Sequence, residues 1–517
     1  MTIPILPLLA PLIVFAASVS FILAPGRRPS ILPRVAEIAA LVALGCAAAG
    51  VVQLLAIGQS SVSAASGLIG FRLDAISATM TLLVAFVGWV VVRYSRFYLD
   101  GEAREGAFHG WMLAALGAVL VLVQAATLPV LVVAFLAVGL AIRQLLLFYA
   151  TRPEAQRAAA KFTLVWGVGD AMLIAATVLI AFAFGTTNIA AVNAAAQNGL
   201  PLAAQLAAAL LVVTAVLKTA CFPLHGWLTE VMEAPTPVSA LLHAGIINSG
   251  GVLLIVTASL VEASTGAMAA LVMIGGFTAL FGGVVMLTQS VVKTALAWST
   301  VAQMGFMLLQ CGLSLWPLAL LHIVAHSLYK AHAFLASGGA VQAVLQSRKP
   351  GPIAVPNLGA VLRSFVLALV LYATVASAFW LVVGPKSAQA LALGAILIFG
   401  VAYLVAQGLA ETAPRALTVR TVRASAAAAV AYFTFQTVDE MLSGPSLPAA
   451  PTPDPLEWAL ITLAVITFGL VAVAQALFPL WAHHPATAGL RVHIANGLYL
   501  NALLDRALGG LKAPQAK

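Results

Sequence analysis

Charge is scarce in this 517-residue chain: 25 basic and 16 acidic side chains make up 8% of it, against 62% hydrophobic residues. A soluble domain carries about 25% charged residues, so this chain cannot cover a water-facing surface, and soluble enzymes and DNA-binding domains are excluded. Cysteine is as sparse. Cys46, Cys221 and Cys311 stand singly in apolar stretches with no CxxC pairing, so they can build neither an iron-sulfur cluster nor a structural zinc site. No GxxxxGKS or GxxxxGKT loop occurs, so ATP is not the direct energy source. The alternating segments of about ten residues that mark a transmembrane barrel are missing as well.

What the chain does have is a succession of apolar runs. At about 20 residues per span its length accommodates on the order of fifteen transmembrane helices, because backbone polar groups in lipid must be satisfied internally. The expected fold is therefore an all-α polytopic membrane protein, with spans at 3–23, 36–57, 73–93, 110–126, 129–149, 162–184, 203–222, 238–261, 267–289, 294–313, 317–340, 364–384, 389–410, 424–441 and 457–481. The formal charge of +9 would suggest nucleic acid in a soluble chain. Here it reads as topology instead. Arg96, Arg104, Arg152, Arg157, Arg348, Lys349, Arg415 and Arg420 fall in alternate loops, whereas the opposite loops hold almost only Arg72 and Lys386. This predicts an N-terminus outside, a cytoplasmic C-terminus and residence in a bacterial inner membrane. The first run lacks a preceding basic residue and is followed by Arg27, Arg28 and Arg34, the reverse of a secretory signal. Ser443 to Pro455 is proline-rich and reads as a surface loop, and Leu490 to Leu511 reads as an amphipathic helix on the membrane surface or against a partner, or else as a solvated tail.

A charge near the bilayer midplane costs roughly 2.5 to 3.5 kcal/mol on insertion scales, so each one asks for a reason. The candidates are Asp170 in the sixth span, Lys218 in the seventh, Glu230 and Glu233 after it, His243 in the eighth, Lys293 at the head of the tenth, and His322, His326, Lys330 and His332 in the eleventh. Phe222-Pro223 follows Lys218, and proline breaks a helix and leaves carbonyls that water can hydrate, so a lysine at this place suits an ion path. The alternative is a lysine that snorkels to the interface. His322, His326 and Lys330 recur every four residues and share one helix face with Ser327 beside it, which suits proton transfer or, alternatively, buried structural histidines. HIVAH lacks the glutamate of HExxH and a third ligand, so no metal site and no cofactor is expected.

The segment LKTACFPLHGWLTEVMEAPTPVSALLHAGIINSGGVLLI from Leu217 to Ile255 closely resembles the signature of the antiporter-like family that includes respiratory complex I and Mrp membrane subunits. VVKTALAWSTVAQMGFML, ALLHIVAHSLYKAHAFLASG, VGDAML and FRLDAIS extend the likeness from about residue 70 to 340. The resemblance implies two inverted five-helix repeats with broken helices. They would occupy 108–262 and 263–411, after N-terminal spans in 1–107 and before C-terminal spans in 412–487 and a cytoplasmic tail at 488–517. By motif position Lys218 resembles the broken-helix lysine and His243 the histidine of the next span. Lys293 resembles the lysine before the ST-x-x-Q segment, His322, His326 and Lys330 the polar row, and Glu233 the acid of ME-x-PTPVSAL.

Two departures stand out. Leu136 occupies the place of the fifth-span glutamate that pairs with the broken-helix lysine, so that acid reads as missing, and the twelfth span carries only Arg363 at its edge. With HAGIINSGG, LLLFY and HIANGLYLNALLDR, these departures are similar to the DabB group of the family. That resemblance implies a subunit that is not itself an enzyme and that passes H+ or Na+ in an inorganic carbon (CO2/bicarbonate) accumulation complex. It also implies a cytoplasmic DabA-like partner related to zinc beta-carbonic anhydrases, which would hold the zinc chemistry. The partners expected are thus that subunit, membrane lipid and the cation, with no nucleic acid. The competing expectation is a proton-pumping subunit of a complex I type oxidoreductase or an Mrp-type antiporter.

Overall fold

A computed structural model describes residues 5–64, 67–339, 358–408, 415–477, 481 and 484–507. Arg348, Lys349 and residues 508–511 of the expected tail helix lie outside the described residues.

The apolar runs fold as helices: α1 (Ile5–Ser20), α2 (Leu32–Ile57), α3 (Ala75–Tyr98), α4 (Glu105–Gln124), α5 (Leu128–Leu146), α6 (Pro153–Phe184), the short α7 (Ile189–Ala196) and α8 (Leu202–Lys218). Among the described residues, ten helices are long and apolar enough to cross a membrane, and further apolar helices such as Leu202–Lys218 are shorter. The protein is an all-α polytopic membrane protein. Its one sheet among the described residues is a hairpin, β1 (Ser60–Ser63) antiparallel to β2 (Gly70–Leu73). The hairpin ends at Leu73, the first residue of the expected third span, for a local reason. Asp74 accepts from the Ser77 backbone at 2.7 Å while Ser77 Oγ accepts from the Asp74 backbone at 2.9 Å, a capping box that sets the start of α3 at Ala75.

α8 stops at Lys218, and the chain resumes as α9 (Gly226–Glu230) after the irregular turn that holds Pro223. The expected eighth span is also divided, into α10 (Thr236–Ala244), a 3-10 turn at Ile246–Asn248, α11 (Ser249–Val256) and α12 (Ala258–Glu262). α13 (Thr265–Met286), α14 (Val292–Gly312) and α15 (Trp316–Ala336) complete the densely packed part, and one apolar core runs from Ala10 to Phe334. The remaining long helices are α16 (Leu358–Val383), α17 (Ala388–Gly408), α18 (Arg415–Ser443) and α19 (Pro455–Ala476), which close smaller clusters around Leu393 and Phe433. α16 runs unbroken through the twelfth span. The tail is no single amphipathic helix: α20 (Ala488–Ala495) and α21 (Leu500–Ala507) are separated at Gly497–Tyr499, where Leu498 has a left-handed φ of 54°. Asn496-Gly497 is a turn dipeptide and breaks the pattern there.

Hydrogen bonds distinguish the two ends of the bundle. At one end Gln59 donates to Ser446 Oγ at 3.1 Å, and the hairpin, the 444–450 segment and the Lys386–Glu440 pair gather there. At the other, beyond the far end of α3, Arg104 donates to the Leu147 carbonyl at 2.6 Å.

Candidate functional site

Lys218 is fully buried, which rules out the snorkelling lysine. Its ammonium lies 2.5 Å from Asp170 Oδ1 and donates to the Trp166 carbonyl at 3.0 Å, over the Trp166 ring at 3.8 Å. All of these groups come from α6, one helix away from α5. The fifth-span glutamate is absent, yet Lys218 does have an acid beside it. It is Asp170, and Leu136 on α5 is half-exposed and plays no part in the pair. The close approach requires Gly169, because a Cβ there would lie 3.0 Å from Lys218 Cε.

Two carbonyls near the break bond to protein groups. The Cys221 backbone donates to the Val216 carbonyl at 3.1 Å, and the Trp227 indole donates to the Leu217 carbonyl at 3.2 Å. Ala220 takes a left-handed φ of 51°, a strained conformation for a residue with a Cβ, and the Phe222 backbone is held by Thr278 Oγ1 at 3.2 Å. Protein groups thus take up carbonyls at the end of α8.

A second group of polar residues lies deeper in the same core. His243 Nδ1 is 3.0 Å from Thr300 Oγ1, Thr300 donates to the Leu296 carbonyl at 3.1 Å, and Lys330 donates to that same carbonyl at 3.0 Å. His326 Nε2 is 3.2 Å from the His243 carbonyl, and His322 Nδ1 is 2.8 Å from Gln310 Oε1. Asn248, placed by the turn between α10 and α11, donates to Ser327 Oγ at 2.9 Å. Thr219, next to Lys218, abuts α11 where Gly250 allows the helices to close: a Cβ on Gly250 would lie 2.7 Å from Thr219 Cγ2. The polar residues therefore run from Asp170 and Lys218, across this glycine contact, to Asn248, Ser327, the three histidines and Lys330. Among the described residues no carboxylate stands within ion-pair distance of Lys330.

Other candidates fall elsewhere. Lys293 is half-buried at the start of α14 and donates to Thr236 Oγ1 at 3.3 Å, Glu233 meets Arg152 at 3.9 Å near the surface, and His332 is exposed on the opposite side of α15. Glu230 is joined to a residue that sequence reasoning missed. Lys161, fully buried on α6, lies 2.5 Å from Glu230 and 2.6 Å from Asp505 of the tail, and Asn501 bonds both Lys161 and Glu230. Its signal was weak, since AAAKF at the front of the sixth span looks like a membrane-edge lysine. His109 and His225 are buried as well and were passed over. Among the described residues no three His, Cys, Asp or Glu side chains stand together as a metal site.

A helical membrane core crossed by buried lysines, one of them paired to an acid at a helix break, defines the antiporter-like class of membrane subunits. Residues 125–354 match the family model described as NADH:quinone oxidoreductase/Mrp antiporter, TM, and 61–109 match the NADH-ubiquinone oxidoreductase (complex I), chain 5 N-terminus. The fold is similar to that of a chain in the Mrp complex from Dietzia sp. DQ12-45-1b, with a TM-score of 0.65 at 23% identity over 97% of this chain and 59% of that one. A relative in Halothiobacillus neapolitanus, named "Probable inorganic carbon transporter subunit DabB2", is 38% identical over 88% of this chain and 83% of its own length. Another in Hydrogenovibrio crunogenus, named "Probable inorganic carbon transporter subunit DabB", is 44% identical over 53% of each chain, so the alignment spans about half of that relative. The chain belongs to the DabB family of inorganic carbon transporter subunits, and it is a transporter subunit rather than an enzyme.

Proposed function

We propose that this chain conducts a cation, H+ or Na+, through the buried polar row and that the flow powers inorganic carbon accumulation. The observation that carries the reading is the Lys218–Asp170 pair, held at a helix break inside an otherwise apolar core. Burying such a pair is a poor route to stability, since well-packed apolar residues serve as well or better. Its use lies in a charge that can respond to an incoming cation. A cation arriving near Asp170 weakens the hold on the Lys218 ammonium, and the His243, His322 and His326 rings offer donor and acceptor nitrogens on the way to Lys330.

The zinc chemistry of CO2 hydration belongs, in this reading, to a DabA-like partner at the cytoplasmic face. The inverted repeats at 108–262 and 263–411, the bacterial inner membrane, an outside N-terminus and a cytoplasmic C-terminus are part of the same proposal. Support for the sidedness comes from Arg104, which shares its end of the bundle with Arg152, whereas Arg72 and Lys386 share the other. Support for the docking site comes from the tail. Its polar residues Asn501 and Asp505 turn inward to Lys161, while Leu498 and Leu503 remain exposed. A complex I type or Mrp-type role has the family models on its side, but among the described residues α16 buries no lysine, arginine, histidine or carboxylate for a second pumping centre.

The test is inorganic carbon uptake by cells that depend on the chain, with a protonophore and a sodium ionophore applied separately. Collapse with one of them supports cation coupling and identifies the ion. Undiminished uptake with both refutes it.

A further inference from the structure

Two cavities meet on one face of α15. One, of about 400 Å³, opens at the end of the bundle that carries the 444–450 segment and is lined by Ser314, Leu318, Lys386, Gln436 and Glu440 among others. The other, of about 460 Å³, reaches Gln310, Leu318, His322, His326 and Tyr432. Leu318 lines both.

The periodicity of the two facing helices makes this a continuous stripe. On α15, Leu318, His322 and His326 follow one another every four residues, and on α18 so do Tyr432, Gln436 and Glu440. The mouth is charged: Lys386 Nζ lies 2.8 Å from Glu440 Oε2, with the lysine side chain 8% exposed and the glutamate 59% exposed. Inside it, Gln436 Oε1 is buried without a protein hydrogen-bond partner, which in a cavity of this size with a charged mouth is where water belongs. At the inner end Gln310 holds His322, and the Phe306 ring stands against both His322 and Phe468.

We propose that this stripe is the route by which a hydrated cation passes between the Lys386–Glu440 end and the His322–His326 row. Leu318 is its hydrophobic constriction and Gln436 its water-holding amide. The proposal rests on cation conduction by this chain. It departs from a passage through α16, because that helix runs unbroken and the cavity at the histidines is walled by α14, α15, α17 and α18.

The test uses the full chain in its native complex. Leu318→Trp fills the junction and should lower gradient-driven uptake about tenfold or more, as blocking a narrow pore does, while Leu318→Ala should retain uptake. Uptake at the wild-type rate in Leu318→Trp overturns the route. Should Leu318→Trp fail to accumulate, thiol labelling decides. In a Cys46→Ala background, Gln436→Cys and Gln310→Cys should react with an impermeant methanethiosulfonate from the same side as the exposed marker Thr452→Cys, and labelling should block uptake. A Gln310→Cys that stays unlabelled, or labels only from the other side, also overturns the route. Loss in Lys218→Ala with full activity in Leu318→Trp rejects this route alone, and full activity in both rejects conduction itself.

Discussion

The span from Thr236 to Val256 and the span from Val361 to Val383 differ in a way that hydropathy inverts. In its most apolar 18-residue stretch the first has a mean hydropathy of 1.7 with 94% of that stretch buried in the protein, whereas the corresponding stretch of the second reaches 2.4 with 11% buried. In lipid the more apolar helix can stand at the periphery, since the tails around it are as apolar as leucine. The less apolar one sits at the centre because His243 and Asn248 need protein partners that lipid cannot provide, and find them in Thr300 and Ser327. The contrast extends to the two halves of the chain. α6 to α15 bury Lys161, Asp170, Lys218, His243, His326 and Lys330, while the buried polar groups given by α16 to α19 are neutral, such as Ser364, Gln389 and Gln436. Buried charge is concentrated on the broken helices and on the unbroken α6 and α15 packed against them.

Breaking the pair on the densely packed side should have the largest effect. Asp170→Ala leaves Lys218 buried without its acid, and breaking one side of such a pair costs about 3 to 5 kcal/mol. Thermal unfolding in detergent should register that loss, and uptake should vanish. The Lys218→Ala/Asp170→Ala double variant should recover most of the melting temperature without recovering uptake. A single variant that melts like the wild type would mean that the pair is solvated after all.

Lys161 comes next. Lys161→Met removes the cation that ties Glu230 and Asp505 together, and hydrogen bonds to charged groups contribute about 1.5 to 3 kcal/mol each. The tail should come loose, seen as faster tryptic cleavage at Arg491 and Arg506, and the DabA-like partner proposed to dock there should appear in the soluble fraction. Truncation after His484 should do the same. Retention of the partner by both variants would move the docking site to the loops.

The smallest effect belongs to the peripheral half. Among the described residues Arg363 bonds only the Gly359 carbonyl of its own helix, so Arg363→Ala should stay within about 0.5 kcal/mol of wild type and leave uptake unchanged. A marked loss there would show that α16 holds a second centre.

The helices were legible because length and apolarity suffice for a span. The row His322, His326 and Lys330 was legible because a four-residue repeat on one helix is local. The pairing of Lys218 was not. Asp170 stands 48 positions away on a neighbouring helix, and the family pattern directed attention to Leu136 instead. Local breaks were partly readable: Pro223 marked the first, but the division at Gly245 to Asn248 lay inside a run with no proline and was taken as continuous. The tail was read as one amphipathic helix because its leucines recur at helical spacing, whereas Asn496-Gly497 divides it and Asn501 and Asp505 make the contacts to Lys161 and Glu230 that hold α21.

The most direct measurement is cation entry into proteoliposomes that contain the purified complex, with a pH-sensitive or sodium-sensitive dye inside and a gradient imposed across the bilayer. The comparison is wild type against Lys218→Ala/Asp170→Ala, in which the buried charges are removed together. Flux in the wild type and only liposome background in the double variant is the expected result. Equal flux in the two would contradict a path through Lys218.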